Sequence, residues 1–563
     1  LIIFVRLDVI NQTRTSMNLK NILVLLTFSL FSLSHVTGQK LLSVKKSDFV
    51  DGSEKSNLAY FKIKQAMDFS QQNAENTDQC LPLFLQAYAY KQNNPELNYN
   101  IGICYLNGHL KENASKYLLD AYQLNAAVSK DICYQIALAH QYDSNFEKAI
   151  KMYQLTIENL VKDRGNRNKA LIESCEKHIY ECKNGIVLQA IPATLTANRL
   201  NKEVNSKFND LNPIKKGDTF YFSSQRSVNS KGQLIEKVYS VSIDNNNYRD
   251  LKKEYIPFGK DENVAIVNIE DKDKFVFYTG IDGGGDFVLA KQKGGRWIAS
   301  GDFPTVNSAI SREASACIAG NELFFVSDRE GGAGACDIYF CTKDKNDNWS
   351  QPKNIGLSIN TEFDEADLFV TPNGKELYFN SKGHNGMGDY DIFKCDRLAN
   401  GTWSSPKNMG IPVNSPYNDI QFYKSETGEQ YFSSDRNGGA GGFDIYKTEK
   451  IKVNTPDPKA VETYAAAPAA QAPIVPQAPK EIIPELIYRI QILACKNEAN
   501  TDQLYKIYQG KEPIEQQFLD GWNKYAIGKF KTYAEAEAFK DSCGIEGAFI
   551  VLFKNGQPLK IRR

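Results

Sequence analysis

A long-period repeat in the second half of the chain restricts its fold more than any other feature. The run Phe324-Phe-Val-Ser-Asp-Arg-Glu-Gly-Gly-Ala-Gly-Ala-Cys-Asp337-Ile-Tyr returns around Tyr378 to Asp391 and again around Tyr431 to Asp444, so the aspartates step by 54 and 53 residues. Trp297, Trp349 and Trp403 keep a matching step, as do Asn307, Asn360 and Asn414. Weaker copies run from Phe277 to Asp286 and from Val204 to Arg226. Such a period means that one supersecondary unit is used several times, because a single unit cannot bury its own apolar face. Each unit alternates aromatic and β-branched residues with Gly-Asn-Asp turns and holds about four short strands. Five units over 187–452 predict a five-bladed β-propeller. The Gly-rich run in each unit supplies the positive-φ positions of a hairpin turn. Closure then requires 187–203 to pair beside the strands ending near residue 450.

The first half reads differently. Residues 58–186 are rich in Ala, Leu, Tyr and Lys, with few strand signals. Asn98-Tyr-Asn-Ile-Gly102 aligns with Cys133-Tyr-Gln-Ile-Ala137, and Ala114, Leu118 and Ala121 align with Ala149, Tyr153 and Thr156, each 35 residues on. Small residues at these offsets let antiparallel helices approach closely, which predicts a helical solenoid of about three units. Residues 453–484 are dominated by Pro and Ala and read as an extended linker without a core. Residues 485–563 alternate strand-like runs with a helix beginning at Thr532, with Glu535 three positions on as in a capping box. The fold class expected is therefore multidomain α + β: solenoid, propeller and a small α/β domain.

At the other end, Met17-Asn-Leu-Lys-Asn precedes an apolar run from Ile22 to Leu33 and then small residues up to Gly38. This reads as a secretory signal peptide cut after Gly38, with residues 1–16 upstream of the start. The run is shorter than the roughly 20 residues a membrane span needs, so no transmembrane span is expected. The expected location is the periplasm, in association with the cell wall or outer membrane.

These segments carry family resemblances. The helical period resembles the tetratricopeptide repeat, which implies a protein partner. The strand, Ser-Asp-Arg, Gly-rich turn and Asp-Ile-Tyr signature resembles the WD-like propeller repeat of the TolB family. Tyr488-Arg-Ile-Gln491-Ile, Tyr525-Ala-Ile-Gly528-Lys-Phe530 and Gly547-Ala-Phe-Ile-Val resemble the SPOR (sporulation-related repeat) domain, whose members bind peptidoglycan glycan strands stripped of stem peptides. Where that family often has Gly-Ser-Phe or Gly-Ala-Phe, this chain has Leu493-Ala-Cys495. The order of modules resembles envelope proteins of gliding, type IX-secreting Bacteroidetes. The implied partners are peptidoglycan glycan strands and an envelope protein.

A glycan receptor needs amide or hydroxyl groups beside aromatic rings. Gln491, Arg489, Trp522, Tyr525 and Phe530 offer that mixture, Gln491 foremost, because an amide buried in so small a core would be costly without partners. Catalytic signatures are missing: there is no Gly-x-Ser-x-Gly elbow and no phosphate-binding loop. The five histidines are scattered, so no metal or cofactor site is expected. Lys plus Arg equals Asp plus Glu at 67 each, which argues against nucleic acid as a partner. The eleven cysteines lack CxxC spacing, and at most one disulfide, Cys495–Cys543, is expected. Asp337, Asp391 and Asp444 recur with the unit and read as structural. Asp364, Glu365, Asp367 and Asp419 are the better candidates for a channel cluster. The sequence thus points to a non-catalytic scaffold, with a secreted glycan-cleaving propeller enzyme as the alternative.

Overall fold

The computed structural model describes residues 41–451 and 486–558, apart from 73–76, 163–167, 272–273, 281–284, 304, 309–310, 520–521, 546–547 and 555–556. The signal-peptide and linker expectations lie outside the described residues. The chain divides into two compact units. One holds 187–452; the other holds the helical segment and the C-terminal segment.

In the first unit every repeat becomes one four-stranded antiparallel sheet. The first sheet comprises Asp210–Lys216, Thr219–Val228, Leu234–Asp244 and Asn247–Lys253, and the second Asn263–Asp271, Lys274–Gly280, Asp286–Lys293 and Arg296–Asp302. The third comprises Glu313–Ala319, Glu322–Ser327, Asp337–Thr342 and Lys353–Asn354. The fourth comprises Glu365–Val370, Glu376–Ser381, Asp391–Asp396 and Lys407–Asn408. The fifth takes Asp419–Lys424, Gln430–Ser434 and Asp444–Lys450, and its outermost strand is Leu195–Arg199, paired antiparallel to Asp444–Lys450. The leading strands of successive sheets pack on one another, and that of the fifth packs on that of the first, which gives a closed, propeller-like ring.

The repeating residues are the joints of this ring. Asn360 accepts from the Ile338 N–H (2.9 Å) and donates to the Ile338 carbonyl (3.0 Å), and Asn414 does the same at Ile392 and Asn307 at Phe287. Asn205 clamps Ile445 in the same way, 240 residues away, and so secures the seam. Asp337, Asp391 and Asp444 accept turn N–H groups from Ala333 (2.6 Å), Met387 (2.8 Å) and Ala440 (2.6 Å). A buried carboxylate needs such donors, which is why the aspartate and its turn recur together. A second pin joins an arginine to a fully buried acid: Arg226 to Asp210, Arg329 to Glu313 and Arg436 to Asp419. The fourth sheet lacks it. Gly383 stands at the arginine position, where a Cβ would meet Thr361 Oγ1 at 1.9 Å, and His384 Nε2 reaches the Ile359 carbonyl instead (2.8 Å). Its acid, Glu365, has only Thr361 and Ser381 as partners, and burial pushes its carboxyl up to about 7.

The helical segment corrects the expected fold class. It runs through Glu54–Gln72, Thr77–Tyr90, Pro95–Asn107, Ala114–Leu124, Ile132–Tyr142, Phe146–Lys162 and Lys169–Gln189. The leading helices begin at 54, 95, 132 and 169, steps of 41, 37 and 37 residues, and their partners begin at 77, 114 and 146, steps of 37 and 32. Helix lengths range from 11 to 21 residues. With unequal steps and lengths no single interface is repeated, so this is not a helical solenoid. The local match between Asn98 and Thr156 reflects close packing: a Cβ on Gly102 would come within 2.5 Å of Leu118. No helix among the described residues is long and apolar enough to cross a membrane.

The C-terminal segment is a five-stranded antiparallel sheet in the order Ile514–Leu519, Trp522–Phe530, Leu486–Cys495, Phe549–Lys554, Gln557–Pro558. Helices Thr501–Ile507 and Tyr533–Cys543 begin with capping boxes at Asn500 and Thr532. Their apolar side chains, including Leu504, Ile507 and Phe539, cover Ile490, Ile492, Tyr525 and Ile527 on one sheet face. This segment packs on the helices before it. The Tyr533 N–H donates to both carboxylate oxygens of Glu176 (2.8 and 3.1 Å), and Lys554 pairs with Glu158 (2.6 Å). All eleven cysteines are free thiols, so the expected Cys495–Cys543 bond is not formed; both side chains pack into the small core instead.

Candidate functional site

Two surfaces combine polar groups without an obvious structural use. The first is the sheet face of the C-terminal segment turned away from its helices. Strand alternation puts Arg489 and Gln491 on that face, alternating with Ile490 and Ile492 of the core. Gln491 lies opposite Ala526 and Phe549, and Trp522 shares the face through its alternation with Ala526. Arg489 pairs with Glu515 and lies over the Phe553 ring at 4.8 Å, leaving its Nε without a partner. Lys529 holds the other Glu515 oxygen at 2.7 Å, an arrangement that sequence reading missed.

Two expected contact residues belong to the core instead. Tyr525 is 1% exposed, and its hydroxyl accepts from the Ala499 N–H (2.7 Å). Phe530 packs on Phe539 with ring centroids 5.0 Å apart. A simple alternation from Ala526 would have left Phe530 on the open face. The pairing shifts between Tyr488 and Ile490, where Gly528 takes a φ of 71°, and the extra residue turns Phe530 inward.

The second surface is the channel of the ring. Pairing is interrupted between Leu211 and Ile214, Ala366 and Leu368, and Ile420 and Tyr423. At these bulges Asn212, Asp367 and Gln421 take positive φ of 54°, 26° and 55°. Bulges of this kind re-aim a side chain, and all three residues line a cavity of about 100 Å³. Glu236, Asn418, Tyr278 and Tyr390 line it too, with Ala265, Val267 and Ala314 as apolar wall. Glu236 precedes Lys237, which stands where the other units have their aspartate, so Glu236 takes the place of Tyr390 and Phe443. Burial pushes its carboxyl up to about 7, with the Asp367 charge adding to the rise against hydrogen bonds from Ser223 and Asn212. Asp367 keeps some accessible surface because it faces the cavity, yet burial lifts it to about 7 as well. Of the four acids expected at a channel, only Asp367 lines this cavity; Glu365 and Asp419 are buried joints, and Asp364 interacts with Lys382 and Tyr390. Among the described residues no group of three or more His, Cys, Asp or Glu side chains could hold a metal ion.

No family model matches the chain, and no curated protein matches it. Solved structures give partial likenesses only. A GH32 β-fructofuranosidase of Bombyx mori shares 11% identity over 44% of this chain and 62% of its own, with a TM-score of 0.29. A puromycin-hydrolysing peptidase of Mycobacterium tuberculosis shares 10% over 40% and 34%, with a TM-score of 0.23. An α-L-arabinofuranosidase from Lactobacillus brevis shares 11% over 46% and 94%, with a TM-score of 0.30. The chain therefore spans less than two thirds of the length of the first two. At these scores the likenesses carry no argument about activity.

Proposed function

We propose that this protein is a non-catalytic scaffold of the periplasm that holds peptidoglycan through its C-terminal sheet and a protein partner through its helices and ring. The observation that carries the reading is the half-buried sheet face turned away from the two capped helices. It sets the amide of Gln491 beside a guanidinium stacked on Phe553, with Trp522 on the same face. Amides and guanidinium groups hydrogen-bond sugar hydroxyls and acetamido groups, and aromatic rings take the apolar sugar faces. The resemblance to SPOR domains supports the same ligand, and the packing on the helical segment uses Tyr533, Glu537 and Lys554 rather than this face.

A glycan-cleaving reading would use Glu236 and Asp367 as its carboxyl pair, with a sugar between them. The cavity argues for the non-catalytic reading, because about 100 Å³ falls well short of the roughly 300 Å³ at which small-molecule pockets begin. Co-sedimentation of the full-length protein with peptidoglycan sacculi, with and without removal of stem peptides by amidase, tests the proposal. Retention that rises after amidase treatment and falls in Gln491→Ala supports it; a protein left in the supernatant of both preparations overturns it.

A further inference from the structure

Two buried acceptor atoms of the residues lining the channel cavity are left unmatched. Glu236 is 2% exposed and Asn418 3%, yet Glu236 Oε1 and Asn418 Oδ1 have no partner. A buried acceptor left unmatched costs about 1–3 kcal/mol, and native chains leave few of them. Both atoms belong to residues that line the same cavity as Asp367, and no Lys or Arg lines it. Three non-glycine residues hold positive φ at its rim, a backbone conformation kept where the surroundings impose it, often at ligand sites. The vacant role is that of a compact cationic donor.

Its chemistry can be narrowed. Hard divalent cations take six to eight oxygens and commonly several carboxylates, whereas only two carboxyls line this cavity. A quaternary ammonium would bring charge but no N–H, and Glu236 Oε1 would stay unmatched. A primary ammonium carries three donors and no acceptor, which suits the carboxyls of Glu236 and Asp367 and the unmatched Asn418 Oδ1. Tyr278 and Tyr390 line the same cavity. Ala265, Val267 and Ala314 give the apolar wall that a short methylene chain needs, and the small volume excludes a bulkier group.

We propose that the channel of the five-sheet ring binds a primary alkylammonium group, its charge received by Glu236 and Asp367 and its carbon chain by the apolar wall. Such a group is supplied by a lysine side chain of a partner protein or by a free aliphatic amine. The site is independent of wall binding and stands or falls separately from it.

Isothermal titration of the full-length protein with n-butylammonium chloride tests the proposal. Cadaverine and a short lysine-containing peptide distinguish the two sources, and n-butanol, tetramethylammonium and calcium chloride serve as comparators. The expected result is saturable binding of n-butylammonium, at least tenfold weaker in Glu236→Gln and in Asp367→Asn, with n-butanol and tetramethylammonium inert. The far-ultraviolet spectrum and melting temperature establish that each variant is folded, and Glu236→Gln alone suffices if Asp367→Asn does not fold. Absence of saturable binding, equal binding of n-butanol, binding of calcium alone, or a folded Glu236→Gln protein that binds like the parent would each overturn the proposal.

Discussion

Removing the guanidinium from the fifth-sheet pin measures what the repeated Arg–acid pair contributes. Arg436 pairs with Asp419, donates to the carbonyls of Pro412 (2.7 Å) and Val413 (2.6 Å), and lies over Phe432 and Tyr446 at 4.8 and 5.1 Å. Asp419 is fully buried. Arg436→Ala leaves that carboxylate without its counter-charge, a change worth about 3–5 kcal/mol. In a unit of this size each kcal/mol moves Tm by about 2–4 °C, so the ring should melt about 6–20 °C lower. The fourth sheet shows how a buried acid persists without arginine: Glu365 is held by Thr361 and Ser381, and its carboxyl shifts towards the neutral form. The double variant Arg436→Ala/Asp419→Asn imitates that state, since the amide introduced by the second substitution keeps an acceptor for Ser415 while carrying no charge. It should recover roughly half of the loss. Urea titration and differential scanning calorimetry of the full-length proteins read both quantities. A single variant within about 1 kcal/mol of the parent, or a double variant no better than the single, refutes the argument from an unpaired buried charge.

Other expectations follow from the same residues. Burial raises Glu176 to about 7 where it receives the Tyr533 N–H. A carboxyl with a raised pKa binds its proton more tightly folded than unfolded, so its contribution is fully present below pH 4.5 and is lost as pH rises through 7. Glu176→Gln should flatten the fall in stability between pH 5 and 8 by about 1–3 kcal/mol, read by urea titration at each pH. Ellman titration of the native protein should detect at most the half-buried Cys495 and Cys543, and all eleven thiols after unfolding; burial pushes Cys133 and Cys341 up to about 11. Binding of n-butylammonium should tighten as pH rises through about 7, because Glu236 and Asp367 must be ionised to receive it. The tyrosines facing them, Tyr278 beside Arg312 and Tyr390 beside Asp364, stay protonated over that range. Affinity unchanged from pH 6 to 8 would count against those two acids.

What was legible in the sequence is whatever each unit does in the same way. Asn307, Asn360 and Asn414 recur because each clamps one strand, and Asp337, Asp391 and Asp444 because each holds one turn. Asp367 was legible as a channel acid, but the rest of the lining was hidden for the opposite reason. Glu236 sits where other units carry Tyr390 or Phe443, and nothing periodic announces it. Asn212, Asp367 and Gln421 enter the cavity through bulges, which alternation cannot reveal. A bulge likewise hid the inward turn of Phe530. In the helical segment, a local match of small residues was extended to a period that unequal helix lengths do not keep.

The seam of the ring also has a mechanical side. Leu195 lies opposite Lys450, and the Ile451 N–H donates to the Thr194 carbonyl, so the chain enters and leaves the ring at the same end of one antiparallel pair. Tension between the preceding helices and the following segment therefore loads those hydrogen bonds one after another, as in a zipper, rather than all together in shear. The clamp of Asn205 on Ile445 lies behind the five paired residues and is reached only after they have parted. Pulled at its two exits, the ring would open first at its outer strand while the sheets facing the channel stayed whole.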